Sequence, residues 1–319
     1  MAVTILLVGC GKQNISSGAR PSSKEQTSAA TTAAQPDSPP QEAQSRSKVE
    51  INFITFSKID KAQELTQGGG VKVAICDWLF DLRGQATNKY VEAASMIPGE
   101  PVGADKPWHG EWMAQMVHQT APACKIIPIR ARTAKEDFQQ YLIKGIRFAA
   151  DHGAVAVTSS MGPLTNTAEL REAVDYAEKK GTLFINVHPI GEMGRWGEQK
   201  READETDRQM LCTGLVSVPA HRATPERGRD IYVWPYALTP TYKDGWGYSD
   251  GPPIAAGVVA LMKSVNPSLT PQQIKKIIIK TAFTKDGFQV LDAEAAVKAA
   301  MQNKLMPPNT VLEPTPTAP

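Results

Sequence analysis

The sequence predicts an α/β fold of three layers, with a mostly parallel sheet and helices on both faces. Two observations support this fold class. Apolar segments of strand length are continuous rather than alternating, as in strands that are buried on both sides. Segments with helical periodicity separate these strands along the chain. The 319 residues are enough for one large folded domain with a sizeable core.

Short apolar segments rich in β-branched residues are the predicted strands. They are Val71–Cys76, Cys124–Ile129, Ala154–Thr158, Leu183–Val187 and Leu215–Val218. Stretches with helical periodicity or helix-capping signals are the predicted helices. They are His109–Gln119, Ala134–Ala150, 167–180 and 271–282.

Local signals set the ends of two of these helices. Asn166 with Glu169 is a candidate capping box at the start of one, and Gly181 is a stop signal at its end. Thr270 followed by Pro271 predicts an N-cap and a first helical position for the other.

The composition excludes several classes of protein. The formal net charge is +2, so no domain-wide basic field favours nucleic acid as a partner. No apolar run reaches the roughly 18 residues that a membrane-spanning helix needs. Four cysteines are too few for a dense disulfide framework in a chain of this length.

The N-terminus has the features of a lipoprotein. Residues 1–10 end in Leu7-Val8-Gly9-Cys10, which resembles the end of a bacterial lipoprotein signal with Cys10 as the lipidated residue. No Lys or Arg precedes Cys10, so we expect this signal to be truncated. The sequence therefore predicts a lipid anchor in the bacterial cell envelope, at the outer membrane and periplasm or at the extracellular face.

The remaining boundaries follow from composition. Residues 11–48 are predicted to be a disordered tether, because 16–47 contain no Val, Ile, Leu, Met or aromatic residue. Residues 49–302 form the predicted folded domain. Residues 303–319 are a Pro- and Thr-rich tail.

Three polar residues fall where reactive groups gather in a parallel sheet. Asp77 directly follows a predicted strand, His109 opens a predicted helix, and Ser249 precedes an apolar helix. A carboxylate can orient an imidazole, which can then take the proton of an attacking hydroxyl. Each residue alone is more often structural, as a cap or a turn residue. Together they predict a nucleophilic relay, for which the three side chains must converge at one cleft edge.

The segments around these residues resemble the subtilisin-like serine peptidase family, peptidase S8, in the family's order Asp, His, Ser. Val-Lys-Val-Ala-Ile-Cys-Asp77 is similar to the strand that ends in the catalytic aspartate. His109-Gly-Glu-Trp-Met-Ala is similar to the start of the histidine helix. Gly247 to Gly257 is similar to the serine segment, and the resemblance spans roughly 71–300. It implies a subtilisin-like fold and the triad Asp77, His109 and Ser249.

The chain also departs from the family's pattern. Trp78 and Leu79 follow the aspartate where a small hydroxyl residue and glycine are usual. Tyr248 and Asp250 flank the serine, and a carboxylate beside the nucleophile disfavours a developing oxyanion.

The family's oxyanion-hole asparagine is not found at its expected place, which Ile190 occupies. Asn186 and His188 are the candidate substitutes. The resemblance also implies that Ser160 and Gly162 line the substrate, where an extended peptide would pair as an added strand.

The other cysteines and metal binding are less defined. Cys76 is interpreted as a buried small hydrophobe whose side chain points opposite to that of Asp77. Cys124 and Cys212 can pair only if they are close enough in space, which the sequence does not show. Family members often bind calcium, but no acidic cluster here has calcium-loop spacing. We therefore expect no cofactor and assign no metal ligands, and the resemblance leaves calcium binding open.

The favoured hypothesis is a lipid-anchored serine endopeptidase that acts as a monomer on peptide or protein substrates and contacts the membrane through its anchor. A second hypothesis is a weak or inactive pseudo-peptidase that binds peptides or an envelope partner. The missing asparagine and Asp250 favour this second hypothesis. A third is a small-molecule-binding α/β domain, which the serine segment argues against.

Overall fold

A computed structural model describes residues 53–83, 87–133, 138–162, 164–189, 209–216, 225, 228–234 and 248–304. All of them lie in Glu50–Pro319, the second of two units into which the chain divides. The predicted signal with Cys10, the tether and residues 305–319 of the tail lie outside the described residues. In the described ranges, no helix is both long enough and apolar enough to cross a membrane.

The described strands form a single nine-stranded sheet in the order β2-β3-β1-β4-β5-β6-β7-β9-β8. Their bounds are β1 Lys72–Asp77, β2 Ala94–Ser95, β3 Lys125–Arg130, β4 Ala156–Ser159, β5 Leu183–Asn186, β6 Leu211–Leu215, β7 Ile231–Val233, β8 Phe283–Lys285 and β9 Phe288–Val290. Every neighbouring pair is parallel except the β8–β9 hairpin. The predicted fold class is confirmed.

Helices cover both faces of this sheet. Their bounds are α1 Phe53–Phe56, α2 Ile59–Leu65, α3 His109–Thr120, α4 Phe138–Asp151, α5 Ala168–Lys179, α6 Gly251–Val265, α7 Pro271–Thr281 and α8 Ala293–Lys304. Buried residues of α4 and α5 form one apolar cluster with the sheet. Buried residues of α3, α6, α7 and α8 form a second, larger cluster on the other face.

One predicted strand is misplaced. The sequence predicts Leu215–Val218, whereas β6 runs over Leu211–Leu215 and residues 217 and 218 lie outside the described residues. The cause is Gly214, where a Cβ would lie 2.6 Å from the ring of Tyr232. Because the neighbouring aromatic ring requires this glycine, β6 lacks the continuous apolar run that marks the other strands.

The structure corrects one predicted cap and supports the other. The N-cap of α5 is Thr167, whose hydroxyl accepts a hydrogen bond from the Leu170 amide, whereas Asn166 accepts one from the Arg171 side chain. The hydroxyl of Thr167 is three residues before its donor, which is the geometry of an N-cap. At α7, Thr270 and Gln273 form a reciprocal capping box.

The alternation of side chains along β1 separates its last two residues. Cys76 lies in the cluster beneath α4, where a Cβ on Gly145 would come within 2.6 Å of its Sγ. Asp77 points to the opposite face, towards α3. The cysteine is fully buried, as predicted.

The same two faces separate the other cysteines. Cys124 belongs to the cluster that includes α3, and Cys212 belongs to the cluster beneath α4 and α5. Both are buried, and neither is part of a disulfide. Cys124 and Cys212 therefore do not form a disulfide with each other.

The central helix of the larger layer is α6, in which Gly251 to Met262 are all buried. A Cβ on Gly257 would overlap the side chain of Thr120, so this glycine lets α3 and α6 approach closely. The 3₁₀ turn Tyr248–Asp250 leads directly into α6 and packs against α3. The fold thus brings the serine segment towards the helix that begins at His109.

Candidate active site

Asp77 and His109 form a hydrogen-bonded pair at the carboxyl edge of the sheet. Asp77 is the last residue of β1 and is fully buried, and His109 is the first residue of α3. The His109 Nδ1 lies 2.8 Å from one carboxylate oxygen and 3.0 Å from the other. Because an ionised carboxylate only accepts hydrogen bonds, Nδ1 carries the proton and Nε2 keeps its lone pair. The imidazole is therefore in the tautomer that a general base needs.

Backbone contacts fix the start of α3 over the segment that follows β1. The amides of Trp108 and Glu111 both donate to the carbonyl of Leu79, over 3.3 and 3.2 Å. A Cβ on Gly110 would lie 3.0 Å from that same oxygen, so the approach needs a glycine. These contacts hold His109 in place relative to the aspartate.

A buried carboxylate, which the sequence analysis does not single out, reinforces this junction. Oε2 of Glu111 accepts hydrogen bonds from the Asp81 amide at 2.8 Å and the Tyr90 hydroxyl at 2.6 Å. Burial raises the pKa of Glu111, while its hydrogen bonds from Tyr90 and Asp81 lower it in part. The only hint in the sequence is an acidic residue in the first turn of a helix, which is too common to identify such a role.

The charges around His109 favour its protonated form. Burial lowers the pKa of the imidazole, but the charge of Asp77 and its hydrogen bond, with the charge of Asp250, raise it by more. The net pKa of His109 is therefore above its ordinary value. Asp250 makes the base stronger while it disfavours negative charge on the reacting carbonyl.

Ser249 lies in the turn before α6, and its backbone is tied to the end of β4. The hydroxyl of Ser160 donates to the carbonyl of Ser249 at 2.7 Å, and its oxygen lies 3.4 Å from the Sδ of Met113 on α3. Among the described residues, no hydrogen bond joins His109 to Ser249. The described contacts thus bring Asp77 and His109 together and hold the serine's turn against the same helix.

The β5 edge holds the two candidate oxyanion donors. Asn186 is buried at the end of β5, and its Nδ2 donates to the carbonyl of His188 at 2.8 Å. Within the described ranges, its buried Oδ1 has no hydrogen-bond partner. A Cβ on Gly162 would overlap the His188 ring, so the imidazole lies against this glycine. Ile190 lies outside the described residues.

Two tryptophans pack against His109, and a third packs against one of them. The rings of Trp108 and Trp112 each lie 6.2 Å from the imidazole, centre to centre. Trp78 meets Trp108 edge-on at 5.1 Å. Trp78 departs from the family pattern, but the sequence does not predict this cluster. The three tryptophans come from two separate segments, and only the fold brings them together.

Metal-ligating side chains do not cluster in the described ranges. Within them, no group of three or more His, Cys, Asp or Glu side chains is placed to hold a cation. The calcium that family members often bind therefore has no matching set of side chains in this part of the chain. No step of the chemistry below depends on a metal.

Comparisons with known proteins agree with this fold. The model of the subtilase family, Peptidase_S8, matches residues 232–306, which include Ser249. Alkaline elastase YaB of Bacillus sp. (strain YaB) is 26% identical over 254 residues, with 72% of this chain and 65% of the relative covered. Subtilisin Savinase of Lederbergia lenta is 25% identical over 257 residues, with 72% of this chain and 92% of the relative covered. This chain thus spans less than two thirds of the elastase.

Solved structures give the same fold at lower identity. The MycP3 protease from the type VII (ESX-3) secretion system has a TM-score of 0.62 at 19% identity, covering 77% of this chain and 87% of that one. Fervidolysin from Fervidobacterium pennivorans has a TM-score of 0.58 at 18% identity, covering 75% of this chain and 44% of that one. The family-model match over residues 232–306 and the related sequences support a subtilisin-like S8 peptidase family for this chain, and the solved structures share its fold.

Proposed function

We propose that this chain is a serine endopeptidase that hydrolyses peptide bonds with Asp77, His109 and Ser249. The observation that carries the proposal is the hydrogen bond of 2.8 Å from the His109 Nδ1 to the buried Asp77 carboxylate. A buried carboxylate in this position stabilises the imidazolium that forms when a base takes a proton.

The reaction follows from these roles. The Ser249 Oγ attacks the peptide carbonyl while the His109 Nε2 takes its proton, so a C–O bond forms and the carbonyl becomes an oxyanion. His109 then gives the proton to the leaving amine, the C–N bond breaks, and an acyl-serine remains. Water attacks the acyl group with His109 again as base, which releases the acid and restores Ser249. Catalytic hydrogen bonds often tighten only when substrate binds.

Oxyanion stabilisation is assigned to two groups in this proposal. The amide of Ser249 is one donor, and His188 is the favoured second donor, because the Nδ2 of Asn186 already donates to a carbonyl. Loss of one donor in comparable sites costs about 10²–10³ in rate.

The test of the triad is covalent labelling of the full chain with a fluorophosphonate probe, with the modified peptide identified by mass spectrometry. We expect labelling at Ser249, none in Ser249→Ala, and normal labelling in Ser268→Ala, a serine outside the site. Labelling that persists in Ser249→Ala, or its absence from folded wild-type protein, would contradict the proposal.

A pseudo-peptidase is the second candidate. The position of Asp250 favours it, because this carboxylate lies beside the nucleophile and close enough to act on His109. This candidate predicts peptide binding without labelling at Ser249.

We also propose that the protein is held at the bacterial envelope by a lipid on Cys10, which rests on the residues before that cysteine. In a chain preceded by a complete signal, Cys10→Ser should move the protein from membranes to the soluble fraction. A variant that stays membrane-bound would contradict the anchor.

A further inference from the structure

An exposed tryptophan lies beside the acid–base pair. Trp108 is the N-cap residue directly before His109 and is 47% exposed, a large exposed fraction for a side chain of this size beside a packed helix. Its ring is held by edge contacts with Trp78 at 5.1 Å and with Trp112 at 6.4 Å. A large apolar ring that is both fixed and open to solvent is poised to contact a bound molecule.

A guanidinium extends this aromatic surface. The Arg132 Cζ lies 5.6 Å from the centre of the Trp78 ring and 4.4 Å from that of Phe138. These distances allow cation–π attraction, which holds the group in place. The Arg132 amide also donates to the carbonyl of Asp77, so the residue is anchored at the active edge of the sheet.

Arg132 has no acidic partner within the described ranges, which leave out residues 134–137. In the described part of the chain, no carboxylate forms an ion pair with its side chain, whereas Arg130, two residues earlier, is paired with Glu100. A fixed guanidinium without an acidic partner can bind a carboxylate from a ligand. Arg132 thus favours a ligand with a carboxylate, and the neighbouring tryptophans favour one with an aromatic side chain.

We propose that Trp78, Trp108 and Arg132 form a substrate-recognition surface that selects peptides with a large aromatic side chain close to an acidic residue. The aromatic side chain lies on Trp108 and the carboxylate binds Arg132. This inference rests on the proposed function, because the surface would bind the same peptide that is cleaved. The Trp108 ring centre and the Arg132 Cζ lie 5.1 and 5.6 Å from the centre of the Trp78 ring, so both are within reach of one bound peptide. Side chains on one side of an extended peptide recur about every 7 Å, and the proposal places the two groups two positions apart.

Binding by a non-hydrolysing variant tests the surface without any need for turnover. Four fluorescent peptides of one length would carry Phe or Ala at the aromatic position and Glu or Gln two positions away. Their affinities for full-length Ser249→Ala protein would be measured by fluorescence anisotropy. We expect the Phe/Glu peptide to bind best and the Ala/Gln peptide to bind worst.

Three further substitutions and one control, each in the Ser249→Ala background, assign the two preferences to residues. Trp108→Ala should weaken the Phe peptides about fivefold to tenfold and leave the Ala peptides within twofold, and Trp108→Phe should restore most of the difference. Arg132→Gln should abolish the preference for Glu over Gln and leave the preference for Phe. Met301→Ala, at a side chain of similar exposure far from the site, should change neither.

The outcomes separate this inference from the proposed function. Equal binding of all four peptides, or equal weakening of all four by Trp108→Ala, would overturn the recognition surface even if Ser249 reacts with the fluorophosphonate. Selective binding together with an unreactive Ser249 would support the surface and assign it to a pseudo-peptidase.

Discussion

The two edges of the candidate site differ in how their polar groups are satisfied. At the β1 edge, the Asp77 carboxylate is paired with His109 and also accepts a hydrogen bond from the Trp78 amide at 2.7 Å. At the β5 edge, a buried oxygen of Asn186 has no partner among the described residues. An unpaired buried acceptor costs free energy, so natural sites keep one mainly where a ligand or a moving group uses it. The comparison indicates a pre-formed acid–base edge and a β5 edge with one acceptor left over, which a donor such as a backbone N–H of a bound peptide would satisfy.

The largest expected effect comes from breaking the acid–base edge. Asp77→Asn would turn the acceptor at Nδ1 into an amide and favour the wrong imidazole tautomer, so kcat for a peptide substrate should fall about 10⁴-fold. Steady-state kinetics measure this, with circular dichroism to show that the fold is kept. A folded variant that loses less than tenfold would show that Asp77 is not the orienting carboxylate.

Substitutions at the β5 edge should lower kcat less than Asp77→Asn does. The relative size of their effects distinguishes the two candidate oxyanion donors. His188→Ala should lower kcat about 10²–10³-fold if the imidazole is the oxyanion donor. Asn186→Ala should lower kcat less than tenfold and destabilise the fold by about 1 kcal/mol, since it removes a hydrogen bond to a carbonyl. The reverse order of kcat effects would make Asn186 the donor.

A third change displaces the His188 ring without altering its chemistry. In Gly162→Ala the added methyl would overlap that ring, so we expect a loss of about 1–3 kcal/mol in the free energy of unfolding. Urea denaturation measures the change. Gly69→Ala is the matched control, because its Cβ would be 3.9 Å from the nearest side chain and should change stability by less than about 0.5 kcal/mol. If Gly162→Ala is as stable as Gly69→Ala, the His188 ring can move aside without a measurable loss of stability.

The smallest expected effect comes from removing the charge of Asp250, which acts on His109 at the acid–base edge. The Asp250 carboxylate raises the pKa of His109, and only neutral His109 can act as base. Asp250→Asn should therefore lower that pKa and move the acid limb of the kcat/KM profile to lower pH. Asp286→Asn, at an exposed turn, should leave the limb in place. A shift to higher pH in Asp250→Asn would contradict the assigned electrostatics.

The sequence predicts most of the fold because its signals are local. Continuous apolar strands and the Thr270 N-cap can be recognised without knowledge of their neighbours, and the structure contains both. The bounds of β6 are not predicted, because the ring of Tyr232 on the next strand leaves no room for a side chain at position 214. That constraint comes from the tertiary structure and cannot be recognised in the local sequence.

The site is predictable to a smaller extent, for the same reason. Asp77, His109 and Ser249 stand in recognisable segments, and their joint role remains a prediction. Glu111 and Arg132 are not singled out by sequence, because a buried acceptor and an unpaired guanidinium depend on which residues the fold places beside them. The positions of Glu111 and Arg132 in the sequence do not indicate which residues will lie beside them.

The buried thiols on the two faces of the sheet can report when each helical layer opens, because a buried thiol is protected from reagents. Burial raises the pKa of Cys76 and Cys124, and a thiol must be exposed and ionised to react with an alkylating reagent. Cys124 lies in the cluster that includes α3, and Cys76 and Cys212 lie in the cluster beneath α4 and α5. We therefore expect each thiol to become reactive when its own side of the sheet opens. Time-resolved alkylation, read separately at each cysteine, would therefore tell whether the two layers detach independently or in a single cooperative event.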